Sequence, residues 1–185
     1  MKRMIWAVSL LVFCGAASAA TILIEPTLST TSAGGAVNVA VRVTDVTDLY
    51  AYQFDLSYDP TVLSTTTVSE GGLLAGGGTT FFFPGAIDNA SGTLMLTAGS
   101  LEGPVPGVSG SGTLATVLFT GVGLGASPVT VSNAVLLDSV GIDIATTIQN
   151  GSVAVVPEPT LLMLLGCGAL GGLIARAYRG SLHRS

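Results

Sequence analysis

The stretch that decides the fold of this chain runs from Leu49 to Pro60 and reads LYAYQFDLSYDP. Aromatic and aliphatic side chains alternate with small or polar ones from Tyr50 to Tyr58. Because successive side chains of a β-strand point to opposite faces, this alternation predicts a strand with one buried face. Asp59 and Pro60 then end the strand, since proline cannot donate to a strand ladder and favours a turn.

The same alternation recurs on both sides of this stretch. Valines at positions 37, 39, 41 and 43 alternate with polar or small residues, and further apolar segments lie between clusters of turn-forming residues. These segments are Thr21–Glu25, Leu63–Glu70, Thr79–Ile87, Gly92–Ser100, Gly112–Val122, Ser127–Asp138 and Ile142–Val156. Nine strands with regular turns and no helical period predict an all-β domain built as a two-sheet sandwich.

The composition of this middle region excludes several functions. Between residues 20 and 156 there are ten acidic residues and one base, Arg42. The resulting net charge of −9 repels phosphate backbones and argues against nucleic-acid binding. Cysteine and histidine are absent from this range, because Cys14, Cys167 and His183 lie outside it. Disulfides, Cys/His zinc sites, Ser-His-Asp triads and Cys-His dyads are therefore excluded there.

Carboxylates are the only groups left for catalysis or metal binding. Asp55 and Asp59 lie four residues apart around a turn, but the sequence shows no aromatic cleft around them of the kind a glycosidase pair needs. Asp138 and Asp143 share a loop that lacks the dense ligand spacing of an EF-hand. We therefore expect no enzyme activity, no cofactor and no assigned metal site, and the sequence leaves weak calcium binding open.

The two ends of the chain differ from the region between them. The N-terminal residues have the pattern of a secretory signal peptide: Lys2 and Arg3 are followed by an apolar run and then by a small-residue Ala-Ser-Ala sequence. This pattern predicts a cleaved signal peptide at residues 1–19. Near the other end, an apolar run from Leu161 to Ala175 precedes three arginines. This run predicts a C-terminal apolar helix that crosses a membrane over about residues 160–178. The arginines place the tail in the cytoplasm by the positive-inside rule.

A short motif precedes the apolar run. Within residues 156–185, the triplet Pro157-Glu158-Pro159 comes first, the apolar run follows, and a tail with Arg176 and Arg179 comes last. This arrangement resembles the PEP-CTERM sorting signal of Gram-negative bacteria. The resemblance implies processing by an exosortase, which is a membrane protease, in a host that makes extracellular polysaccharide. We therefore expect an exported protein that is anchored in the membrane or held at the cell surface.

Three segments in order resemble those of cohesin domains. They are Leu49–Pro60 with the following Val62-Leu63, Gly110–Val117, and the closing segment Ile148–Val155. The resemblance places a cohesin-like β-sandwich at residues 20–155. Cohesins are nine-stranded jelly-roll sandwiches, related to several carbohydrate-binding modules, and they bind dockerin modules of partner proteins. The resemblance thus implies a non-catalytic module for protein–protein interaction or assembly at the cell envelope.

The resemblance also implies a binding site. In cohesins the dockerin docks on an open sheet face that includes the strand before the Tyr-Asp-Pro turn. The matching outward positions here are Ala51, Gln53 and Asp55, and alternation independently predicts that they face outward while the tyrosines of the strand are buried. Phe82 is a further candidate contact. Phe81 and Phe83 share one face of a strand and Phe82 points to the other, so either both faces are covered by the core or one aromatic patch is exposed to a partner or a glycan.

Two other functions stay open at this stage. A carbohydrate-binding module that holds exopolysaccharide, linked to polysaccharide metabolism, is the main alternative. The domain contains no tryptophan, since Trp6 lies in the predicted leader, and tryptophan is the favoured surface for a sugar ring in such modules. The other possibility is a passive matrix constituent with no defined ligand.

Overall fold

The computed structural model describes residues 19–158, and most of these residues lie in β-strands. A single helical turn, α1 (Gly72–Ala75), is the one helix in this range. The eleven strands are β1 (Ala20–Glu25), β2 (Leu28–Ser32), β3 (Ala36–Ser57), β4 (Leu63–Glu70), β5 (Thr80–Phe83), β6 (Ala86–Asp88), β7 (Thr93–Leu101), β8 (Val108–Gly121), β9 (Gly125–Asp138), β10 (Thr146–Gln149) and β11 (Gly151–Val156).

The long strand β3 belongs to both layers of the domain. Its first half pairs with β1 and β8, and the layer continues to β10 and β4. Its second half pairs with β7 and β9, and that layer continues to β5, β6, β11 and β2. Between the halves, Asp45 and Asp48 have positive φ, a region that aspartate adopts more readily than most residues with a side chain. These two residues therefore mark where β3 passes from one layer to the other.

Apolar side chains from both layers meet in one core. Phe54 and Leu56 of β3 and Phe119 of β8 are fully buried, and the ring of Tyr58 meets that of Phe119 edge to face at 5.1 Å between centroids. The buried Tyr52 hydroxyl donates to a carbonyl oxygen of β8 in the opposite layer, at 2.7 Å. A buried hydroxyl needs such a partner, so this bond fixes Tyr52 across the core.

The expectation of an all-β fold is confirmed, but the predicted count of nine strands is wrong. The two strands predicted on either side of Asp45 are one strand, β3. The segments Thr79–Ile87 and Ile142–Val156 each form two strands, interrupted near Pro84 and Asn150. Strand β2 has no apolar alternation to reveal it, because four of its five residues are serine or threonine.

Several predictions concern residues outside the described range. Residues 1–18 of the signal peptide predicted at 1–19 lie there, and so do Pro159, Arg176, Arg179 and the apolar helix predicted at about 160–178. Pro157 and Glu158 follow β11 without regular secondary structure. Within residues 19–158, no helix combines the length and the hydrophobicity needed to cross a bilayer.

Candidate binding face

Four neighbouring strands, β5, β7, β3 and β9, present one outward surface, which we name the apolar face. Because laterally paired residues point to the same side of a sheet, the strand registers define its members. One row across the strands is Phe81, Ser100, Ala51 and Leu137, and the next is Phe83, Ala98, Gln53 and Val135. None of these eight residues carries a charge. The predicted outward orientation of Ala51 and Gln53 is thus confirmed.

The apolar face is a shallow trough with a floor of small side chains. Ala51, Ala98 and Ser100 lie along the middle, and the depression has a volume of about 220 Å³. On one side stand Phe81 and Phe83, which are 57% and 41% exposed. Pockets for small molecules are larger and enclose their ligand. An open trough of this size instead suits side chains that project from the surface of another macromolecule.

Asp55 lies in the next row and is half-buried. Its carboxylate accepts a hydrogen bond from the backbone N–H of Leu96 on β7, at 2.6 Å, and another from the Asn133 side-chain amide on β9, at 2.7 Å. Leu96 and Asn133 both have positive φ, and both ladders of β3 shift register at this level. The residue predicted as a partner contact therefore uses both carboxylate oxygens within its own sheet.

Asp48 occupies a similar position beyond the opposite end of the trough. One carboxylate oxygen accepts the Gly107 N–H at 2.9 Å, and the other accepts the hydroxyl and the N–H of Ser139 at 2.6 and 3.3 Å. The hydrogen bond from the Ser139 hydroxyl is the main reason why the pKa of Asp48 lies below its usual value. Ser139 begins a hairpin whose tip exposes Val140 and Ile142, so apolar surface continues past Leu137.

Phe82 does not belong to the apolar face. It pairs with Gly99, which lies on the core side of β7, and it packs half-buried against the core. A Cβ atom on Gly99 would lie 2.7 Å from the ring of Tyr52, so glycine is required for Tyr52 to occupy this space. Phe82 therefore faces the core, contrary to its prediction as a contact, and its neighbours Phe81 and Phe83 point outward.

The three tyrosines of β3 and its following turn differ in burial. Tyr52 and Tyr58 are buried as predicted, and burial raises the pKa of both hydroxyls. Tyr50 is only half-buried, and its hydroxyl donates to the Gly103 carbonyl at 2.7 Å. The register of β3 on β9 shifts between Leu49 and Ala51, which interrupts strict alternation at this point.

The residues in the two rows of the apolar face offer apolar contact and, at Gln53 and Ser100, hydrogen-bonding groups. No group of three or more histidine, cysteine, aspartate or glutamate side chains in residues 19–158 is arranged to hold a metal ion.

Five members of the apolar face were not predicted from the sequence: Phe81, Phe83, Ala98, Val135 and Leu137. Alternation could have shown that Phe81 and Phe83 share a face, but only the strand register shows which face that is.

Several solved structures with a similar fold are cohesins by their own descriptions. A non-cellulosomal cohesin from the archaeon Archaeoglobus fulgidus has a TM-score of 0.60 and 19% identity, covering 77% of this chain and 94% of that one. The third ScaC cohesin of Acetivibrio cellulolyticus, solved with the ScaB dockerin, has a TM-score of 0.59 and 19% identity, and the match covers 74% of this chain and 99% of that one. A Clostridium thermocellum cohesin from the complex Coh-OlpA-Doc918 has a TM-score of 0.60 and 14% identity, and the match covers 75% of this chain and all of that one. At these identities the likeness concerns the fold alone.

Comparison of sequences is more decisive for the family. A search of curated proteins found no match. The family model of the cohesin domain, however, matches residues 24–155, which is most of the chain and nearly all of the described part. Cohesin domains are binding modules without catalytic activity, in agreement with the expectation that the protein is not an enzyme. By this match, the chain belongs to the cohesin domain family.

Proposed function

We propose that this protein is an exported cohesin that binds a dockerin-like module of another exported protein through the apolar face. The observation that carries the proposal is the uncharged trough between Phe81 and Leu137, at the sheet positions that the sequence resemblance assigns to dockerin contact. Contiguous exposed apolar surface on a soluble domain marks an interaction site. The similar cohesins of Acetivibrio cellulolyticus and Clostridium thermocellum were solved in complexes with dockerins.

The trough indicates how such a partner would be held. Interface energy concentrates in a few large side chains at the centre of the contact. Phe81 and Phe83 are the exposed side chains of this kind, and the small residues beside them leave room for apolar side chains of the partner. Gln53 and Ser100 add hydrogen-bonding groups without adding charge. We expect an interface that is dominated by apolar contact and depends little on salt.

Export and anchoring complete the proposal. The leader at residues 1–19 directs secretion, and Pro157-Glu158-Pro159 with the apolar run and arginines forms a PEP-CTERM signal that an exosortase processes. The domain would then act at the envelope or in the surrounding matrix. The mass of the protein recovered from cells tests this part, because removal of both ends gives a fragment that begins near Ala20 and ends near the triplet. An intact chain in the cytosol would contradict it.

A matched pair of substitutions tests the binding face. The full exported protein is used to capture and then purify an exported partner, whose affinity is measured for each variant. Ala51→Lys places a charge in the trough, and Ala40→Lys places the same charge outward in the other layer, also on β3 and also at a half-buried alanine. We expect Ala51→Lys to weaken binding at least about tenfold, or ~1.4 kcal/mol, and Ala40→Lys to change little. Equal effects of the two would refute the assignment of the face.

The polysaccharide alternative rests on the exposed rings of Phe81 and Phe83, which could stack on sugars. Family membership favours a protein partner instead. Affinity electrophoresis in a gel that contains the host exopolysaccharide separates the two. Retardation that is lost in Phe81→Ala would support the alternative, and no retardation of the wild-type protein would leave the protein partner as the function.

A further inference from the structure

We propose that Asp48 and Asp55 are positioning residues of the apolar face. Each accepts hydrogen bonds from the segments on both sides of β3, one at each end of the trough, and together they hold the face in its binding shape. Neither carboxylate contacts the partner in this proposal. The inference rests on the proposed binding function and deepens it, because it names residues that set the shape of the face rather than its contacts.

The Asp55 bridge acts on two bulges. Leu96 and Asn133 flank Asp55 on β7 and β9, and each adopts the left-handed region that disfavours most side chains. Bulges bend a strand and increase its twist. The carboxylate of Asp55 joins them by accepting from the Leu96 N–H and the Asn133 side chain. Two bulges opposite each other, tied to the strand between them, give the sheet a defined bend at this end of the trough.

The Asp48 bridge connects two loops. Gly107 lies in the connection from β7 to β8, and Ser139 lies in the hairpin after β9, so the two partners of Asp48 stand on opposite sides of β3. A Cβ atom on Gly107 would lie 2.3 Å from the Asp48 carbonyl oxygen, so this close approach requires glycine. Within the hairpin, the Asp138 carboxylate accepts the N–H groups of Val140 and Ile142. The exposed apolar tip is therefore fixed relative to β3 through Ser139.

The two bridges lie on either side of the trough. Ala51 and Gln53, which form its central rows, stand between Asp48 and Asp55 in the same strand. Each carboxylate accepts hydrogen bonds from both flanking segments, so the relative positions of β7, β3 and β9 are set before a partner arrives. Preorganisation of this kind increases affinity, because less order must be gained on binding. The predicted role of Asp55 as a direct contact is thus replaced by a role in shaping the face.

Amide hydrogen exchange tests the bridges without any partner. In the full chain, Asp55→Ala should accelerate exchange of the Leu96 N–H, and Asp48→Ala that of the Gly107 and Ser139 N–H groups, by about tenfold or more. Asp55→Asn and Asp48→Asn keep an acceptor oxygen and should retain part of the protection. The Asn variants also keep the test valid if an Ala variant does not fold. Unchanged exchange at these amides in the Ala variants would overturn the proposal.

Binding of the captured partner tests the consequence for function. We expect Asp48→Ala and Asp55→Ala each to weaken binding by about tenfold through lost preorganisation. Asp143→Ala is the matched control, because Asp143 is exposed beside Leu137 and its carboxylate accepts no hydrogen bond from any residue of the described range. An equal loss in Asp143→Ala would show a charge effect and overturn the proposal. Normal binding by both bridge variants would overturn it too, whereas failure of the proposed function appears separately, as normal binding by Ala51→Lys.

Discussion

The two halves of β3 show the same alternation but carry opposite kinds of outer surface. Around its second half lies the apolar face. Around its first half lies a surface that we name the hydroxyl face. Most of its paired outward residues carry hydroxyl groups, namely Thr21, Thr44, Thr113, Thr116, Thr120, Ser64, Thr67 and Ser69, and Leu23, Asn38, Ala40 and Leu118 lie among them. The ion pair between Arg42 and Glu25, the one salt bridge found in residues 19–158, also lies on this face.

The difference lies in the side chains of the neighbouring strands rather than in the backbone. Hydroxyl groups that face water lose nothing by staying exposed, whereas the rings of Phe81 and Phe83 gain free energy when another surface covers them. Both faces stand on one core, to which β3 contributes along its whole length. The hydroxyl face therefore serves as an internal control for the apolar face, since a change in one can be matched by a change in the other.

The largest expected effect comes from the core that both faces share. Phe54 is 1% exposed, and its ring lies 6.0 Å from that of Tyr52 beneath the apolar face. Truncation of a buried phenylalanine removes its transfer free energy and leaves a cavity. We expect Phe54→Ala to lower the free energy of unfolding by ~3–5 kcal/mol in urea titration and to impair both faces.

Phe81→Ala is the comparison for that experiment. The Phe81 ring is more than half exposed, so its removal should change stability by less than about 0.5 kcal/mol while it weakens partner binding. A large loss of stability in Phe81→Ala would mean that the apolar face is part of the core, and the contrast between the two faces would no longer hold.

The sequence predicts the orientation of some residues of the apolar face but not of others. Alternation correctly predicts Ala51 and Gln53 as outward, because the side-chain period of a strand is a local property. It cannot show that Phe82 faces inward and Phe81 outward, since that depends on which side of β7 meets the core. The left-handed bulge at Leu96 has no signal in the sequence, and without it Asp55 looks like an available contact. The apolar face was therefore predictable within β3, and its flanking strands were not.

A smaller effect is expected where the apolar face is packed from below. Gly99→Ala would bring a methyl group to 2.7 Å from the Tyr52 ring, which is held by its hydrogen bond across the core. We expect a loss of ~1–3 kcal/mol in unfolding free energy, typical of an overpacked core. In the other layer, Gly112→Ala would meet the half-buried side chain of Leu73 at 3.0 Å, which is a less severe overlap than 2.7 Å. That variant should lose less, and an equal loss would contradict this explanation.

Acidification tests the Asp48 bridge, because the Asp48 carboxylate titrates and an asparagine at the same position does not. The hydrogen bond from Ser139 lowers the pKa of Asp48 below its ordinary value of 3.8. A group with a lowered pKa in the folded state stabilises it above the unfolded pKa, and that contribution is lost as pH falls through the folded value. We expect the unfolding free energy of the wild type to fall more steeply below about pH 4 than that of Asp48→Asn. Parallel curves from pH 6 to pH 2 would show that Asp48 contributes nothing.

The smallest effect is expected from the ion pair of the hydroxyl face. Arg42 and Glu25 have side chains that are 35% and 48% exposed, and exposed pairs contribute about 0–1 kcal/mol. The Arg42 Nε atom is buried without a hydrogen-bond partner, which offsets part of this gain. Arg42→Met keeps the aliphatic contacts and removes both the ion pair and the unpaired Nε atom, so the free energy of unfolding should change by less than about 1 kcal/mol.

The affinity for the partner should not change in this variant, because the hydroxyl face does not touch the partner in our proposal. This holds although Arg42 is the only base between residues 20 and 156. A loss of binding in Arg42→Met would place the contact on the hydroxyl face and reverse the comparison between the two halves of β3.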